Sequence, residues 1–385
     1  MSKLKARLQY ALIYLFPAVA LVLSLFAKET SQAARQALYL CLDVVIPSLF
    51  PFFVLSGLAV PLLSRLPCPR LFKAIMQKGF GLPYYTLVTL MLGYLSGYPT
   101  GAKLARDMMD EGLLDSVQAG RVITYANNCS PLFVIGTIGA GLFQSIRIGF
   151  VLLVVHWIAG LTAALLLKHF LKEPAKEKAY PSHINTKPAS SGPSLPFAPA
   201  IENASFLCIK VTGYIVLFAV LSELLGKLGL FQLLGNWVGW LAAQGQNSSM
   251  SGFFTSLFRG VMEISTGASA VSQVQDTSLT LKLAGISFLC GFAGLSVHTQ
   301  VMGIMRGTGT KYITFFIGKL LHGILAFCLT LPVMNMFPFA LQTAGSATQT
   351  AVDLSPFRAL TVTVLLLSLL IYIPDVKRAS SRKKA

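Results

Sequence analysis

The stretch LGYLSGYPTGAK, residues 92–103, decides the fold of this chain. It ends an apolar run at 84–95 and opens a polar helix at 103–114. Pro99 cannot donate a backbone hydrogen bond, and the glycines on either side of it loosen the helix. The twelve residues of the apolar run are too few to cross a bilayer, which takes about 20 residues. The stretch therefore predicts a re-entrant hairpin over 83–101.

Each half of the chain has a hairpin tip followed by a broken membrane span, in the same order. The tip GYPTGA (97–102) in the first half corresponds to EISTGA (263–268) in the second, where the predicted hairpin covers 253–274. The broken span of the first half lies at 122–143, around the polar segment NNCSP. The broken span of the second half lies at 283–305, around SVHTQ. This matched order predicts a structural repeat.

Composition indicates a membrane protein. Hydrophobic residues make up 54% of the 385 positions and charged residues 12%, whereas soluble domains carry about 25% charged residues. We predict an all-α integral membrane protein with about eight transmembrane helices plus two re-entrant hairpins in inverted repeats. The predicted crossings are 8–26, 38–63, 122–143, 148–167, 201–225, 283–305, 312–334 and 357–373.

The basic residues predict the topology. The net charge of +17 sits in short segments beside apolar runs, which is the positive-inside pattern and argues against a nucleic-acid partner. Both termini are then cytoplasmic, a short loop with Lys28 and Arg35 lies outside, and the two hairpins enter from opposite faces. The segment 172–199 is rich in Lys, Pro and Ser, and its low hydrophobicity predicts a disordered cytoplasmic linker. The predicted units are a first membrane half (1–171), the linker (172–199), a second membrane half (200–376) and a basic tail (377–385).

The four interruptions predict a binding site. A broken helix is tolerated in a membrane only where protein or a water-filled cavity surrounds it, and free N–H groups at half-helix ends suit anionic ligand groups. Paired breaks in two inverted halves point to a transporter site near the midplane. The predicted substrate-binding residues are Ser96, Gly97, Tyr98, Thr100, Gly101, Asn127, Asn128, Ser130, Glu263, Ser265, Thr266, Gly267, Ser296, His298, Thr299 and Gln300.

Several ionisable residues inside apolar segments have open roles. Glu263 has Arg259 one turn before it, and the two form either a structural ion pair or part of substrate or ion coupling. Lys319 and His322 are expected to face a cavity, and Lys210 either does so or extends its ammonium to the membrane surface.

The sequence shows no pattern typical of an enzyme or a metal site. The six cysteines include no CxxC pair and are expected to be free thiols, and the histidines have no ligand spacing. Phosphate-loop, HExxH and GxSxG signatures are absent. We therefore predict no enzymatic activity, no metal and no cofactor, and the coupling ion is left open.

The interrupted segments resemble those of the YlbJ (SpoVV) family of sporulation integral membrane proteins. The stretches that carry the resemblance are 92–103 and 127–137, with PSLFPF at 47–52 and, more loosely, 263–267. The resemblance covers most of 35–306. That family contains nucleoside-recognition (Gate) domains and is similar in plan to concentrative nucleoside transporters.

The resemblance implies a role in endospore formation. It implies a secondary-type transporter that moves dipicolinic acid from the mother cell across the outer forespore membrane and is needed for the spore cortex and core. The expected partners are the lipid bilayer and a small anionic metabolite, and a homo-oligomer is possible in principle. Two alternatives stay open: a transporter of nucleosides or other small metabolites, and a membrane scaffold that recruits sporulation proteins without transporting anything.

Overall fold

A computed structural model describes residues 13, 16–63, 70–170, 197–242 and 250–336, and every regular element in these ranges is helical. The all-α prediction is confirmed for this part of the chain. The larger part of the predicted linker, the last predicted span at 357–373 and the basic tail lie outside the described residues.

The helices of the first half are α1 (Phe16–Leu25), α2 (Ala27–Leu40), α3 (Ile46–Leu63), α4 (Arg70–Ala74), α5 (Thr86–Ser96), α6 (Thr100–Asp110), α7 (Ser116–Ala126) and α8 (Ile146–Phe170). The second half has α9 (Phe197–Lys227), α10 (Leu230–Ala242), α11 (Ser251–Met262), α12 (Ile264–Gln273), α13 (Leu279–Phe292), α14 (Gly294–Ile304) and α15 (Tyr312–Met336). Segments of π-helix lie at Cys41–Val45, Ile75–Phe80 and Leu132–Leu142.

Five helical stretches in the described ranges are long and apolar enough to cross a membrane. The predicted count of eight crossings plus two hairpins stays a prediction, because several of the predicted spans are shorter helices or lie outside the described residues. The five stretches are Ala27–Val60, Ile146–His169, Phe197–Lys227, Leu279–Ile304 and Tyr312–Met336.

The predicted external loop around Lys28 and Arg35 is wrong. These residues lie in α2, which continues through the π-helical segment into α3. Between Ala27 and Leu40 the segment is rich in Ala, Gln and other strong helix formers, and their propensity outweighs the charges that suggested a loop. The helix packs on α9, and Glu29 forms an ion pair with Lys227.

The two halves repeat one order of elements around their interruptions. In the first half, α5 and α6 meet at a break, α7 follows, and a second break leads into the π-helical segment Leu132–Leu142 and then α8. In the second half, α11 and α12 meet at a break, α13 follows, and a second break leads into α14 and then α15. The long helices of the two halves pack together, α15 against both α8 and α13.

One set of contacts joins the halves at the end of α6. The guanidinium of Arg106 donates hydrogen bonds to the carbonyl oxygens of Arg306 at 2.9 Å and of Ile304 at 3.4 Å. The end of α6 therefore lies beside the loop between α14 and α15. This contact fits the predicted placement of both segments on the cytoplasmic face, although sidedness and the inversion of the repeat stay predictions.

Candidate functional site

Three of the interruptions and the helix that follows the fourth border one cavity, which we call the central cavity. Its volume is about 660 Å³, including space open to solvent. Eight of the residues predicted from the sequence line it: Ser96, Gly97, Tyr98, Ser130, Glu263, Ser265, Ser296 and Gln300. The structure thus brings together polar groups that are far apart in the sequence.

The opposite walls of the central cavity are mainly apolar. They come from the junction of α2 and α3, through residues such as Leu40, Val45 and Leu49, and from α9, through Val211 and Ile215. A ligand in this cavity would contact polar groups at the interruptions and aliphatic side chains elsewhere, the usual pattern of small-molecule sites.

The first hairpin tip owes its shape to glycine and to its contact with the first broken span. Gly97 has φ +92°, and a Cβ atom there would lie 2.8 Å from the Cβ atom of Ser130. A side chain at position 97 would therefore be both strained and overlapping. The hydroxyl of Tyr98 donates a hydrogen bond to the carbonyl of Cys290, which ties the tip to α13 in the other half.

Asn127 and Asn128 use their amides to finish neighbouring helices. Asn127 donates to the carbonyl of Ile123 in α7 at 2.6 Å and accepts a bond from the N–H of Ala102 in α6 at 3.1 Å. Asn128 donates to the carbonyl of Tyr125 at 2.9 Å. Both asparagines are buried and neither lines the central cavity. Their amides satisfy helix ends that would otherwise be unpaired.

Lys319 of α15 supplies a buried cation to the same break. Its ammonium donates to the backbone carbonyl of Asn127 and to the side-chain oxygen of Asn128, the latter at 3.4 Å. It also lies 5.6 Å from the centre of the Tyr98 ring, whose other contacts include the central cavity. The expectation that Lys319 and His322 face a cavity is wrong for the central cavity, because both are buried and neither lines it. His322, one turn later, is buried with its Nε2 bonded to the carbonyl of His156.

Glu263 caps the second half of its own hairpin. Its carboxylate accepts bonds from the N–H groups of Ser265 at 3.1 Å and Thr266 at 2.8 Å, and from the Ser265 hydroxyl at 2.6 Å. The predicted pairing with Arg259 is wrong, because Arg259 forms its ion pair with Glu223 of α9. The start of α12, predicted as a place for an anionic ligand, is thus occupied by a carboxylate of the protein.

The second broken span is interrupted at Ala293, before the predicted SVHTQ segment. Ala293 and Gly294 both have positive φ, and Ser296 to Gln300 belong to the helix that follows. His298 lies outside the central cavity, where its Nε2 is 2.8 Å from the carbonyl of Phe292 and its Nδ1 is 3.2 Å from the Tyr312 hydroxyl. The imidazole of His298 thus bonds to the carbonyl of Phe292, the last residue of α13 before the break.

Besides Asn127, Asn128 and His298, five more of the predicted residues lie away from the central cavity and serve packing or capping. Thr100 is buried, and Thr266 and Thr299 bond to backbone carbonyls near them. Gly267 lies so close to α11 that a Cβ atom there would be 1.9 Å from the Cα atom of Gly260, and a Cβ atom on Gly101 would be 2.7 Å from the carbonyl of Ala126 in α7.

Among the helix starts at the interruptions, the start of α14 has the most hydrogen-bond donors available to a ligand. No side chain caps this helix, so its first N–H groups have no side-chain acceptor. Ser296 and Gln300 lie one turn apart on it and line the central cavity, and neither side chain forms a hydrogen bond within the described residues. The backbone N–H groups at the start of α14 can therefore bond to a carboxylate or amide of a ligand. At the starts of α6 and α12, side chains of the protein already accept such bonds.

A second, larger space adjoins the central cavity, and we call it the vestibule. Val211 and Gln300 border both spaces. Four basic residues and two acidic residues line it: Lys103, Arg106, Lys210, Arg306, Asp107 and Asp110. Lys103 and Arg106 pair with the two aspartates, whereas Lys210 and Arg306 form no ion pair among the described residues.

The balance of charge in the vestibule is positive. Burial raises the pKa of the Asp107 carboxyl, although the neighbouring Lys103 ammonium lowers it. With both carboxyls ionised, four basic and two acidic residues still leave the lining with a net positive charge. Lys210 rests on the ring of Phe206, 4.5 Å from its centre. Its ammonium is therefore held within the vestibule lining.

The chain is similar to a known sporulation protein. It is 29% identical over 315 residues to the sporulation integral membrane protein YlbJ of Bacillus subtilis (strain 168), and the match covers 77% of this chain and 75% of that relative. This similarity supports placing the chain in the YlbJ family. No family model matches the chain, and no solved structure matches it. The Gate-domain detail stays a prediction.

Sequence reasoning missed several residues of the central cavity. The apolar walls at Val45 and Val211 belong to ordinary membrane helices, and nothing in their local pattern distinguishes cavity-facing from lipid-facing positions. Cys129 and Phe133 also line the cavity. Cys129 lies in the predicted polar segment NNCSP and Phe133 lies two residues after it, a signal that could have included both.

Proposed function

We propose that this protein is a membrane transporter for a small anionic metabolite and that it acts in spore formation. The observation that carries the proposal is that residues from three helix interruptions and from the helix that follows the fourth line a single cavity. Breaks in matched positions of two halves that converge on one space are typical of secondary transporters. The similarity to a sporulation membrane protein provides the cellular setting.

Two features support an anionic substrate. The uncapped start of α14 presents N–H groups and the positive end of the helix dipole beside Ser296 and Gln300, which favours a carboxylate. The vestibule that adjoins the cavity carries the unpaired cations Lys210 and Arg306, which would raise the local concentration of anions. Dipicolinate, a flat dianion, is our leading candidate, with export from the mother cell across the outer forespore membrane as its route.

One feature favours an uncharged substrate. The carboxylate of Glu263 borders the central cavity, and a second carboxylate close to it would be repelled. A nucleoside would fit the mixture of hydroxyl, amide and aliphatic groups without that repulsion. Thermal stabilisation of the purified protein by uridine or adenosine, and none by dipicolinate, would favour this second candidate.

The main test is uptake of labelled dipicolinate by vesicles that contain the purified protein. We expect uptake above that of empty vesicles, driven by an ion gradient or by the substrate gradient. Absence of uptake under every gradient applied would rule out dipicolinate as the substrate. A membrane scaffold, by contrast, would support sporulation in cells while showing no uptake of any solute.

Two adjacent residues of α14 allow a matched test, because one lines the central cavity and the other is exposed. Gln300 lines the central cavity, whereas Thr299 beside it is exposed and bonds only to its own helix. Replacing Gln300 by Ala removes one neutral hydrogen bond to the substrate and should raise KM by about 2- to 10-fold. The control Thr299→Ala should leave KM unchanged. Equal effects of both substitutions would show that the substrate does not contact the start of α14.

A further inference from the structure

Lys319 is buried without a carboxylate partner. Its side chain is 0% exposed, and it forms no ion pair with Asp or Glu among the described residues. A buried lysine costs several kcal/mol unless its charge is compensated. The compensation here comes from neutral oxygens, the backbone carbonyl of Asn127 and the side-chain carbonyl of Asn128.

These two oxygens lie at the end of a helix, where the partial negative charge of the backbone attracts cations. α7 ends at Ala126, just before the two asparagines, and the carboxyl end of a helix carries a partial negative charge. Unwound carbonyls and half-helix carboxyl ends are the groups that hold coupling cations such as Na⁺ in secondary transporters. The ammonium of Lys319 thus occupies a position with the ligands and the field of a cation site.

No other charged side chain of the described residues contacts the ammonium. The polar groups near it are the ring of Tyr98, the thiol of Cys129 and the imidazoles of His156, His298 and His322. The Nε2 of His156 accepts a bond from the N–H of Cys129 at 3.1 Å, so its Nδ1 carries the hydrogen. That N–H has no acceptor within the described residues, and an imidazole whose Nε2 accepts a bond is neutral.

We propose that the ammonium of Lys319 is a covalently attached cation at the broken end of α7, and that it replaces a coupling Na⁺. The inference rests on the proposed transport function, which it extends: substrate binding and movement would need no Na⁺. The four-carbon stem of the lysine fixes the charge in place through the whole transport cycle, whereas a free ion would have to bind and leave.

The test is thermal unfolding of the full-length protein in detergent, in NaCl and in choline chloride of equal ionic strength. The native protein should have the same midpoint in both salts, because its cation site is filled. Lys319→Ala exposes the two oxygens and leaves a space for an ion. This variant should unfold at a lower temperature in choline chloride and regain several degrees in NaCl, because a ligand that binds only the folded state raises the midpoint.

Lys168 provides a matched control. Its ammonium donates to the carbonyl of Lys78, but at an exposed position. Lys168→Ala should therefore show no difference between the two salts. Lys319→Met fills the space without charge, so it should lower the midpoint equally in both salts.

Two results would overturn the proposal. Stabilisation of the native protein by Na⁺ over choline would show that an unfilled cation site exists, and no loss of stability in Lys319→Met would show that the charge is unnecessary. The native measurement decides the first point even if a variant does not fold. Since no substrate is present, these outcomes are independent of the uptake assay that tests the proposed function.

Discussion

The carboxylate of Glu263 shows how one residue serves both the backbone and the cavity. Three hydrogen bonds hold it at the start of α12, yet it still borders the central cavity. A residue in this position fixes the geometry of the hairpin tip and sets the charge that a substrate meets. Asn127 and Asn128 perform only the first of these tasks, because their amides are fully engaged away from the cavity.

Replacing Glu263 by Ala tests the structural task. The substitution removes a helix cap and should lower the free energy of unfolding by about 1 kcal/mol, within a range of 0.5–2 kcal/mol. Chemical unfolding in detergent would measure it. The control Glu202→Ala removes an exposed glutamate of α9 and should change stability little. Equal stability of the two variants would contradict the capping role.

Predictions for single residues were correct where an unusual residue type marks a break in an apolar helix, and wrong where no such residue is present. Gly97 and Glu263 were found because glycine, proline and polar residues stand out in apolar runs. The break at Ala293 was placed too late in the chain, since alanine is a strong helix former and SVHTQ is the more polar segment. The predicted Arg259–Glu263 pair failed because spacing along a helix says nothing about the partner that α9 brings to Arg259.

The hairpin of α11 and α12 depends on two glycines that touch. A Cβ atom on Gly267 would lie 1.9 Å from the Cα atom of Gly260. Such close backbone contact is typical of membrane helices, where small residues allow tight packing. The two arms of the hairpin can therefore lie side by side in a space that would not hold two ordinary helices.

Gly267→Ala should disrupt this hairpin. Overpacking typically costs 1–3 kcal/mol and more where backbone atoms overlap, so we expect a large drop in the yield of folded protein and in its unfolding midpoint. Gly213→Ala is the matched control, because a Cβ atom at that helical glycine meets nothing within 4 Å. It should stabilise the protein by about 0.4–1 kcal/mol. Fluorescence-detected size exclusion after heating would compare the two variants.

The sequence predicted the order of the helices and breaks but not the lengths of the helices. Apolar runs and glycine-containing interruptions predicted the series from α5 to α8 and its counterpart from α11 to α15. The continuous helix through Lys28 and Arg35 was missed because charge was read as a loop signal, although these residues favour helix. Packing against α9 stabilises that helix, and such a contact cannot be derived from local sequence.

For the whole molecule, the vestibule predicts which face is open. Arg106 contacts Ile304 and Arg306 beside it, and the positive-inside pattern assigns these basic segments to the cytoplasm. A cysteine at Lys210 should react with a membrane-impermeant thiol reagent added on the cytoplasmic side and not from outside. The background variant replaces the exposed Cys328 by Ser, along with Cys68. Labelling from outside alone would reverse the proposed orientation.

The partition between the vestibule and the central cavity is formed by Val211 and Gln300, which border both spaces. Rotating a side chain is faster by orders of magnitude than displacing a helix, which takes microseconds or longer. A solute should therefore equilibrate between these two compartments quickly, and the volume of residue 300 sets the largest solute that passes. A slower step of turnover would then require the displacement of helices and not the passage of a solute between these two spaces.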